Sequence, residues 1–556
     1  MLKGCVPWPE KIADGYVAKG YWNNIPIGEA FDRAAEIFTT REALVYGDQR
    51  ISYSQLKSGS DRIAEHFLNL GLRPLDRIIV QLPNIPEFVY CYFAFLKIGV
   101  IPVMCLPPHR FTEIAYIADK CGAKGYLIPD YYHKHNYLEL AQELSQAVPS
   151  INNIFVVGRE CRTGQFLINQ FLEDKIENCA NNELLDKYRP DPMEVAVFLL
   201  SGGTTGLPKI IPRTHNDYLY TARMTGLPVG LNLYSVYLAI APLAHNMTLA
   251  CPGLMGTLLN GGKVVITAST DVENLCKLIE KENISILPLV PALIITLLNY
   301  QERKNYNLSS LKIIISGGSK LNPEVAKRIK PELGCNLVQQ FGMAEGLLTM
   351  TNMSDLEEVV FNTVGRPVSP ADEIKIVDDE EVEVSPGATG ELICRGPYTI
   401  RGYYQVADYN EKAFTRDGYY KTGDIVRLEP VSGCLIIEGR KKDLINRGGE
   451  KISAEEVENL ILAHPKVDNA AVVAMPDPLL GERSCAYVTL KNNETLTLNE
   501  LNTFMLEKKI AKFKLPERLE IIEQFPLTNV GKIQKKDLRL AIEKKIEEEI
   551  QTSEQL

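Results

Sequence analysis

The stretch that decides the fold of this 556-residue chain is VAVFLLSGGTTGLPK, residues 195–209. Its first six residues are apolar, which predicts a buried strand. The next nine, residues 201–209, contain six glycine, serine or threonine residues and end in Pro-Lys. Glycines let backbone N–H groups approach phosphate oxygens closely, while the hydroxyls and Lys209 add donors and a positive charge. The stretch therefore predicts a strand followed by a phosphate-binding loop; a flexible Gly/Ser turn is the alternative.

This loop differs from the Walker A loop of P-loop NTPases. Their pattern requires Gly-Lys followed by serine or threonine. Here Lys209 is preceded by Pro208 and followed by Ile210. The chain is therefore predicted to bind phosphate by a different arrangement.

Apolar β-branched runs recur along the chain, each followed by a turn or an amphipathic stretch. This alternation predicts an α/β fold with substantial parallel sheet. The runs are residues 78–82, 195–200, 284–287 and 313–315.

A domain boundary is predicted near residues 439–443, because the pattern starts afresh there. A hairpin over 424–438 precedes it, and a helix over 454–463 and a strand around 470–474 follow. We therefore expect an N-terminal domain over residues 1–440 and a smaller C-terminal domain over 441–556. From residue 535 on, evenly mixed charges predict a solvated helix.

Bulk composition excludes several classes of protein. A net charge of −10 argues against non-specific nucleic-acid binding. Residues 1–10 lack the apolar core of a signal peptide, and no apolar run reaches about 18 residues, so we expect a cytoplasmic protein without a membrane span. The twelve cysteines are scattered, with no Cys-x-x-Cys pair, which predicts reduced thiols rather than zinc ligands or disulfides.

With the glycine-rich loop, four further stretches resemble the adenylate-forming superfamily of acyl-CoA synthetases, luciferases and peptide-synthetase adenylation domains. They are QFGMAE (340–345), YKTGD (420–424), GRKKD (439–443) and NVGK (529–532). Similarity along the whole chain is closer still to the stand-alone 2,3-dihydroxybenzoate:AMP and salicylate:AMP ligases of siderophore pathways. The stretches that carry it include LKG (2–4), PWP (7–9), VQLPNI (80–85), PRTHNDY (212–218), AHN (244–246), RGPYTIRGYY (395–404) and INRGGEK (445–451).

The resemblance implies a fold and a reaction. The fold is a large N-terminal adenylate-forming domain with parallel sheets and a β-barrel-like subdomain, followed by a small, mobile α+β C-terminal domain. The reaction uses ATP and Mg²⁺ to form an acyl-adenylate, then transfers the acyl group to a phosphopantetheine thiol. Only a short tail follows Lys532, so we expect any carrier protein to be a separate chain.

Roles for ATP and catalysis follow by the same resemblance. Lys532 is the candidate catalytic cation. Glu345 is the candidate catalytic carboxylate and Mg²⁺ ligand. Their alternatives are a solvated loop lysine and a carboxylate at a helix start. The candidate ATP- and AMP-binding residues are Ser201, Gly202, Gly203, Thr204, Thr205, Gly206, Lys209, Gly317, Gly318, Phe341, Gly342, Met343, Asp424 and Arg440.

Within that set Asp424 is the ribose candidate, because an ionised carboxylate accepts hydrogen bonds from both hydroxyls; an ordinary turn aspartate is the alternative. By resemblance, Gly317, Gly318 and Phe341 match the walls of the adenine site; the alternative for Gly317-Gly318 is a simple turn at a strand end. Lys442 matches the hinge about which the small domain rotates between half-reactions. Gly448 and Gly449 match the tunnel for the phosphopantetheine arm, or form a simple glycine turn.

The acid pocket is predicted around Asn246, which matches the asparagine that contacts an ortho-hydroxyl. His245 resembles a gate beside the carboxylate, or is purely structural. The other candidate pocket residues are Met247, Cys251, Ser319, Gln340 and Leu348. Cys251 favours salicylate over 2,3-dihydroxybenzoate, because a thiol is bulkier than a hydroxyl and a weak hydrogen-bond partner. Gln340 either meets an extra substituent or ring nitrogen or bonds to backbone.

Three rival functions remain open. Another hydroxylated or heteroaromatic acid is possible as substrate, and coenzyme A is possible as thiol acceptor. A non-catalytic binding protein on this fold is the third rival. It predicts loss of the functional positions, yet Lys209, Glu345, Asp424 and Lys532 are all present.

Overall fold

The computed structural model describes residues 1–173, 182–201, 208–319, 321–447, 450–477, 479–491, 494–508, 510, 512–528 and 532–554. Within these ranges, no helix combines the length and apolarity needed to span a bilayer. The eleven cysteines in the same ranges carry free thiols, and all except Cys5 and Cys161 are buried.

The described strands are β1 Glu42–Tyr46, β2 Gln49–Ser52, β3 Arg77–Val80, β4 Ile101–Met104, β5 Gly125–Pro129, β6 Tyr131–Tyr132, β7 His135–Asn136, β8 Asn153–Val157, β9 Phe166–Leu167, β10 Val195–Leu200, β11 Ile210–Thr214, β12 Val236–Ala239, β13 Lys263–Ile266, β14 Ile286–Leu289, β15 Ile313–Ser316, β16 Asn336–Met343, β17 Gly346–Met350, β18 Arg366–Pro367, β19 Glu373–Val377, β20 Gly390–Arg395, β21 Tyr420–Leu428, β22 Leu435–Arg440, β23 Leu444–Arg447, β24 Glu450–Ser453, β25 Val467–Asp477, β26 Gly481–Leu490 and β27 Arg518–Ile521.

The described α-helices are α1 Glu10–Ala18, α2 Ile27–Ile37, α3 Tyr53–Asn69, α4 Pro86–Lys97, α5 Phe111–Cys121, α6 Tyr137–Ala147, α7 Ile168–Glu173, α8 Asn182–Lys187, α9 His215–Gly226, α10 Asn246–Ala250, α11 Gly253–Leu259, α12 Val272–Glu282, α13 Pro291–Asn299, α14 Pro323–Leu333, α15 Glu357–Asn362, α16 Ala407–Ala413, α17 Ala454–Leu462, α18 Leu498–Glu507 and α19 Lys535–Glu554.

The chain divides into two compact units. As far as they are described, residues 1–374 and 394–420 form the first, and residues 375–393 and 421–554 form the second. The second unit contains the hairpin β21–β22 as well as the C-terminal residues. The boundary between residues 440 and 441 stays a prediction.

Two large sheets form the first unit. A nine-stranded sheet has the order β18-β17-β16-β15-β14-β12-β13-β1-β2, and a seven-stranded sheet has the order β11-β10-β4-β3-β5-β8-β9. Strands β12 to β16 of the first sheet are joined in parallel, as are β3, β4, β5, β8 and β10 of the second. This confirms the predicted α/β fold with parallel sheets. The apolar runs predicted as strands correspond to β3, β10, β14 and β15.

Apolar side chains from the strands and from the helices on the sheet faces form the core of the first unit. Around the nine-stranded sheet they include Leu238, Ile279, Leu287, Ile314 and Ile329, all buried. Each such side chain contributes about 1.5–3 kcal/mol when removed from water. The sheet is therefore a rigid frame for the loops at its strand ends.

The second unit contains a sheet in the order β19-β20-β21-β22 and a C-terminal sheet in the order β24-β23-β26-β25, with β27 added to β26. Helices α17, α18 and α19 accompany the C-terminal sheet. The predicted hairpin over 424–438 corresponds to β21 and β22, which pair antiparallel. The helix predicted over 454–463 is α17, and the charged helix predicted from residue 535 is α19.

The topology of the nine-stranded sheet gathers loops at one edge. Strands β12, β14, β15 and β16 are parallel neighbours, so their carboxyl ends lie at the same edge. The segment with Asn246 follows β12, Gly317 follows β15, and Gln340 lies near the end of β16. Such edges of parallel sheets are where α/β proteins bind ligands.

Candidate active site

The two ends of the glycine-rich loop are held together. Backbone N–H of Ser201 donates to the carbonyl of Lys209 at 2.9 Å, and backbone N–H of Lys209 donates to Ser201 Oγ at 3.0 Å. Strands β10 and β11 pair antiparallel on either side. The candidates Gly202, Gly203, Thr204, Thr205 and Gly206 lie outside the described residues, so their role stays a prediction.

The ammonium group of Lys209 lies over aromatic rings. Its Nζ is 4.1 Å from the centroid of the Tyr409 ring and 5.8 Å from that of Tyr403. Cation–π attraction of this kind directs a lysine without neutralising it. The two rings therefore direct the ammonium group of Lys209.

The carboxylate of Glu345 is held by a tyrosine. Tyr403 Oη donates to Glu345 Oε1 at 2.7 Å, and Tyr403 and Tyr420 hydroxyls are 2.9 Å apart. Burial, followed by the nearby charge of Glu345, raises the pKa of Tyr403, so its hydroxyl stays a donor.

The alternative of a helix-start carboxylate for Glu345 is wrong. Residues Ala344 and Glu345 form the turn between the antiparallel strands β16 and β17. Phe341 and Gly342 lie within β16 rather than in a turn. Strand pairing across the hairpin, rather than the first turn of a helix, therefore positions this carboxylate.

A buried arginine fixes the same turn. Arg213 Nη1 donates to the carbonyl of Ala344 at 2.9 Å, and Arg213 Nε pairs with Asp217 at 2.8 Å. Both side chains are almost fully buried. An arginine clamped between a carboxylate and a turn carbonyl leaves the turn little freedom.

Asn246 is oriented by a tyrosine from helix α9. This helix begins at His215 because Thr214 caps it, accepting the N–H of Asp217. One turn on, Tyr218 Oη donates to Asn246 Oδ1 at 3.0 Å. The amide oxygen of Asn246 is thereby used, and its NH₂ group remains as a donor.

His245 caps the short helix α10. Its Nδ1 accepts the backbone N–H of Met247 at 3.3 Å. The predicted structural role is therefore present. Its role as a gate stays a prediction.

Gly317, Met247 and Gln340 meet at the carboxyl end of β15. A Cβ placed on Gly317 would lie 3.1 Å from Met247 Sδ and 3.4 Å from Gln340 Oε1. Nearby, Gln340 Nε2 donates to the carbonyl of Cys251 at 3.1 Å, so the predicted backbone bond of Gln340 is present. Cys251 itself is buried, and burial raises the pKa of its thiol to about 12, so it stays neutral.

The other candidates of this region differ in exposure. Leu348 is buried against Gly342: a Cβ on this glycine would lie 2.3 Å from Leu348 Cδ2. Tyr398 Oη lies 3.2 Å from the Leu348 backbone nitrogen, which donates to it. Phe341 and Met343 are half-buried, and Gly318 and Ser319 are exposed. Gly318 has φ +88°, which favours glycine.

In the second unit, Asp424 and Arg440 face each other across the β21–β22 hairpin. They are register partners, and Arg440 Nε lies 2.7 Å from Asp424 Oδ1. Asp424 is almost fully buried, while about half of the Arg440 side chain is exposed. The backbone N–H of Asp424 donates to Thr422 Oγ1 at 3.0 Å, and both residues lie within strand β21, so the alternative of an ordinary turn aspartate is wrong.

Lys532 belongs to the same group. Crowding of its ammonium by protein atoms and the positive charge of Arg440 lower its pKa, against the opposing effect of Asp424. Its backbone pairs with Thr528, whose N–H donates to the Lys532 carbonyl at 2.7 Å. The structure thus brings together Asp424, Arg440 and Lys532, which are far apart in sequence.

The hinge candidate and the two tunnel candidates lie within a few residues of one another in the sequence. Lys442 lies in a short 3₁₀ helix, Lys441–Asp443, and nothing is described of its side chain. Gly448 and Gly449 lie outside the described residues. The hinge and tunnel roles stay predictions.

The donor set suits a metal held partly by its substrate. Within the described ranges, no group of three or more His, Cys, Asp or Glu side chains is arranged to hold a metal ion. Glu345 contributes one carboxylate, whose Oε1 accepts from Tyr403. Mg²⁺ commonly binds one or two carboxylates together with substrate phosphates and water, so this set fits Mg²⁺ bound with ATP.

Sequence reasoning missed four residues that position the candidates: Arg213, Tyr218, Tyr403 and Tyr409. The first three lie inside the stretches that carry the resemblance, 212–218 and 395–404. Their positioning role could not be predicted from the sequence, because each contacts a candidate residue or turn that is distant in sequence.

Two protein-family models match this chain. The family model described as AMP-binding enzyme matches residues 31–404, and that described as AMP-binding enzyme C-terminal domain matches residues 456–532. The chain is 44% identical to the 2,3-dihydroxybenzoate-AMP ligase of Bacillus subtilis over 98% of this chain and 99% of that one. It is also 44% identical to a salicylyl-CoA synthase / salicylate adenylyltransferase of a Streptomyces species, over 97% of each. The apo structure of Mycobacterium smegmatis MbtA matches with a TM-score of 0.74 and 38% identity, over 96% of this chain and 98% of that one.

Proposed function

Because this chain belongs to the AMP-binding enzyme family, we propose that it is an ATP-dependent aryl-acid:AMP ligase acting on salicylate or 2,3-dihydroxybenzoate. It then transfers the aryl group to the phosphopantetheine thiol of a separate carrier protein, as in siderophore-type peptide synthesis. The observation that carries the choice of acid is the Tyr218–Asn246 hydrogen bond. It leaves an amide N–H donor for the oxygen of an ortho-hydroxyl, with no charge that would suit an ammonium group.

In the first half-reaction a carboxylate oxygen of the acid attacks the α-phosphorus of ATP, and pyrophosphate leaves. Two anions must approach, so the step needs positive charge rather than a general base. Lys532 and Lys209 supply that charge. Mg²⁺, when bound through Glu345 and the phosphates, neutralises charge on the phosphate oxygens.

Asp424 holds the ribose hydroxyls of ATP, and its ion pair with Arg440 directs the carboxylate. Gly317, Gly318 and Phe341 line the adenine, and Gly342 and Met343 belong to the same ATP- and AMP-binding set. His245 stands beside the carboxylate of the acid. In the second half-reaction the thiol attacks the acyl carbon, and AMP leaves with the C–O bond electrons.

Acid-dependent ATP–pyrophosphate exchange tests this function. A panel of benzoate, salicylate, anthranilate, 2,3-dihydroxybenzoate and picolinate is expected to give exchange with the ortho-hydroxylated acids above all. A chain that exchanges with none of the aromatic acids contradicts the proposal.

Coenzyme A is the second candidate acceptor, favoured by the similarity to the salicylyl-CoA synthase / salicylate adenylyltransferase of Streptomyces. Incubation with ATP and salicylate plus either coenzyme A or a phosphopantetheinylated aryl carrier protein separates the two. Under the proposal, thioester accumulates on the carrier, and steady release of aryl-coenzyme A with AMP points instead to the second candidate.

Replacing Tyr218 by phenylalanine is expected to lower kcat/KM for salicylate about tenfold, because the Asn246 amide loses the bond that orients it. Benzoate has no hydroxyl that Asn246 could bind, so kcat/KM for benzoate is expected to change little. The matched control is Tyr220→Phe on the same helix, which removes a buried hydroxyl bonded to Ser369 at 2.6 Å. An equal loss for salicylate and benzoate contradicts the assignment of Asn246.

A further inference from the structure

The ammonium group of Lys209 lies against two tyrosine rings, here called the tyrosine pair. Its Nζ is 4.1 Å from the ring centroid of Tyr409 and 5.8 Å from that of Tyr403, and the two rings meet edge to face at 5.5 Å. Within the described residues, no carboxylate forms an ion pair with this ammonium group. The lysine is therefore placed by ring faces rather than by an acidic side chain.

The segment that carries the tyrosine pair is fixed by hydrogen bonds to its backbone. Asn410 Oδ1 accepts the N–H of Tyr403, and Asn410 Nδ2 donates to the Tyr403 carbonyl, both at 2.9 Å. The N–H of Tyr404 donates to the carbonyl of Ile210, the first residue of β11, at 3.0 Å. Helix α16, which contains the second ring, is therefore tied to the first ring and to the strand that follows the glycine-rich loop.

The two tyrosines differ in what else they contact. Tyr403 is buried, and its hydroxyl donates to Glu345. Tyr409 is 41% exposed, and its hydroxyl forms no hydrogen bond with any residue that the structure describes. Its ring contacts are with Tyr403 and with the ammonium group, which is closer to this ring than to the other. Tyr409 can therefore be changed without removing the bond that holds Glu345.

An ammonium group ordered in this way has a consequence for anion binding. A lysine side chain is flexible and loses rotamer entropy when it is fixed. Cation–π attraction orders the side chain without cancelling its charge, whereas a carboxylate partner would compete with an incoming anion. An anion that needs this charge therefore binds with a smaller loss of entropy.

We propose that Tyr409 is a positioning residue for ATP: its ring holds the Lys209 ammonium group in place for the phosphates, and so raises the affinity for ATP. This inference rests on the proposed function, in which Lys209 supplies positive charge to the phosphates, and deepens it. Because Tyr409 acts through Lys209, binding of the acid should not depend on it.

Two variants of Tyr409 separate the ring from the hydroxyl. Tyr409→Leu removes the ring and is expected to weaken binding of MgATP about threefold to tenfold, the size of a partly exposed cation–π contact. Tyr409→Phe keeps the ring and is expected to bind MgATP as wild type does. Calorimetric titration with MgATP measures the affinity. In ATP–pyrophosphate exchange with salicylate, KM for ATP should rise in the same proportion, with KM for salicylate and kcat unchanged.

A double-mutant cycle tests whether Tyr409 acts through Lys209. Adding Tyr409→Leu to Lys209→Met is expected to weaken MgATP binding no further, because the cation is already absent. The matched control is Tyr188→Leu, which removes a ring that lies 5.5 Å from the guanidinium of Arg73. Arg73 precedes β3, at the edge of the parallel sheet opposite to the end of β10, so this variant is expected to keep the wild-type affinity.

Three results would overturn the inference. They are equal weakening in Tyr409→Phe and Tyr409→Leu, a full effect of Tyr409→Leu in the Lys209→Met background, and an equal rise in KM for ATP and for salicylate, which indicates a structural role. If Tyr409→Leu does not fold, Tyr409→Met takes its place in each comparison. Titration with MgATP needs no acid, so absence of exchange with every aromatic acid contradicts the proposed function while the titrations still decide the role of Tyr409.

Discussion

Replacing Lys532 by alanine is expected to lower acid-dependent ATP–pyrophosphate exchange about 10²–10³-fold, the usual loss for one group that stabilises transition-state charge. The reacting carboxylate and phosphate are both anionic, so the loss should fall mainly on kcat. The backbone of Lys532, rather than its side chain, makes the hydrogen bonds to Thr528. Thermal unfolding should therefore change little.

The lowered pKa of Lys532 gives this prediction a pH dependence. Only the protonated ammonium neutralises the two anions, so exchange is retained below its pKa and lost as pH rises through it. Because crowding and Arg440 lower that pKa, the fall should begin at a lower pH than for an ordinary lysine. The profile of kcat against pH, read from pH 7 upwards, checks the direction.

Lys536→Ala is the matched control, because Lys536 is an exposed lysine only four residues away. It is expected to retain full exchange and an unchanged pH profile. A Lys532→Ala enzyme with full exchange excludes Lys532 from the adenylation step.

Much of the fold could be predicted from local sequence. The buried strands β10, β14 and β15 are apolar β-branched runs, and α17 follows Ser453, which caps it. Such features depend on neighbours within a few residues, so periodicity and capping reveal them. The candidate residues themselves were found because short motifs keep their spacing.

The partners of those residues could not be predicted. Glu345 meets Tyr403 58 residues later, and Asn246 meets Tyr218 28 residues earlier. Neither hydrogen bond can be predicted from the spacing of the residues in sequence, because the tertiary fold brings the two partners together. The hairpin turn at Glu345 could not be predicted either, because its two turn residues, Ala344 and Glu345, are neither glycine nor proline.

Replacing Glu345 by glutamine is expected to lower exchange about 10²-fold or more and to raise the Mg²⁺ concentration needed for half-maximal rate. Glutamine keeps the shape and can still accept from Tyr403, but it lacks the charge that attracts a hard cation. Removal of a metal ligand has effects of this size, because the ion both orients ATP and stabilises charge. Exchange measured against total Mg²⁺ at fixed ATP checks both parts.

Tyr403→Phe separates charge from position at the same carboxylate. It keeps the charge of Glu345 and removes the bond of 2.7 Å that holds Oε1. Loss of a hydrogen bond to a charged group costs about 1.5–3 kcal/mol, so its effect should be smaller than that of Glu345→Gln, at about tenfold to a hundredfold. If Glu345→Gln keeps the wild-type rate and Mg²⁺ dependence while Tyr403→Phe does not, Glu345 is a structural acceptor for the tyrosine and the metal is held elsewhere.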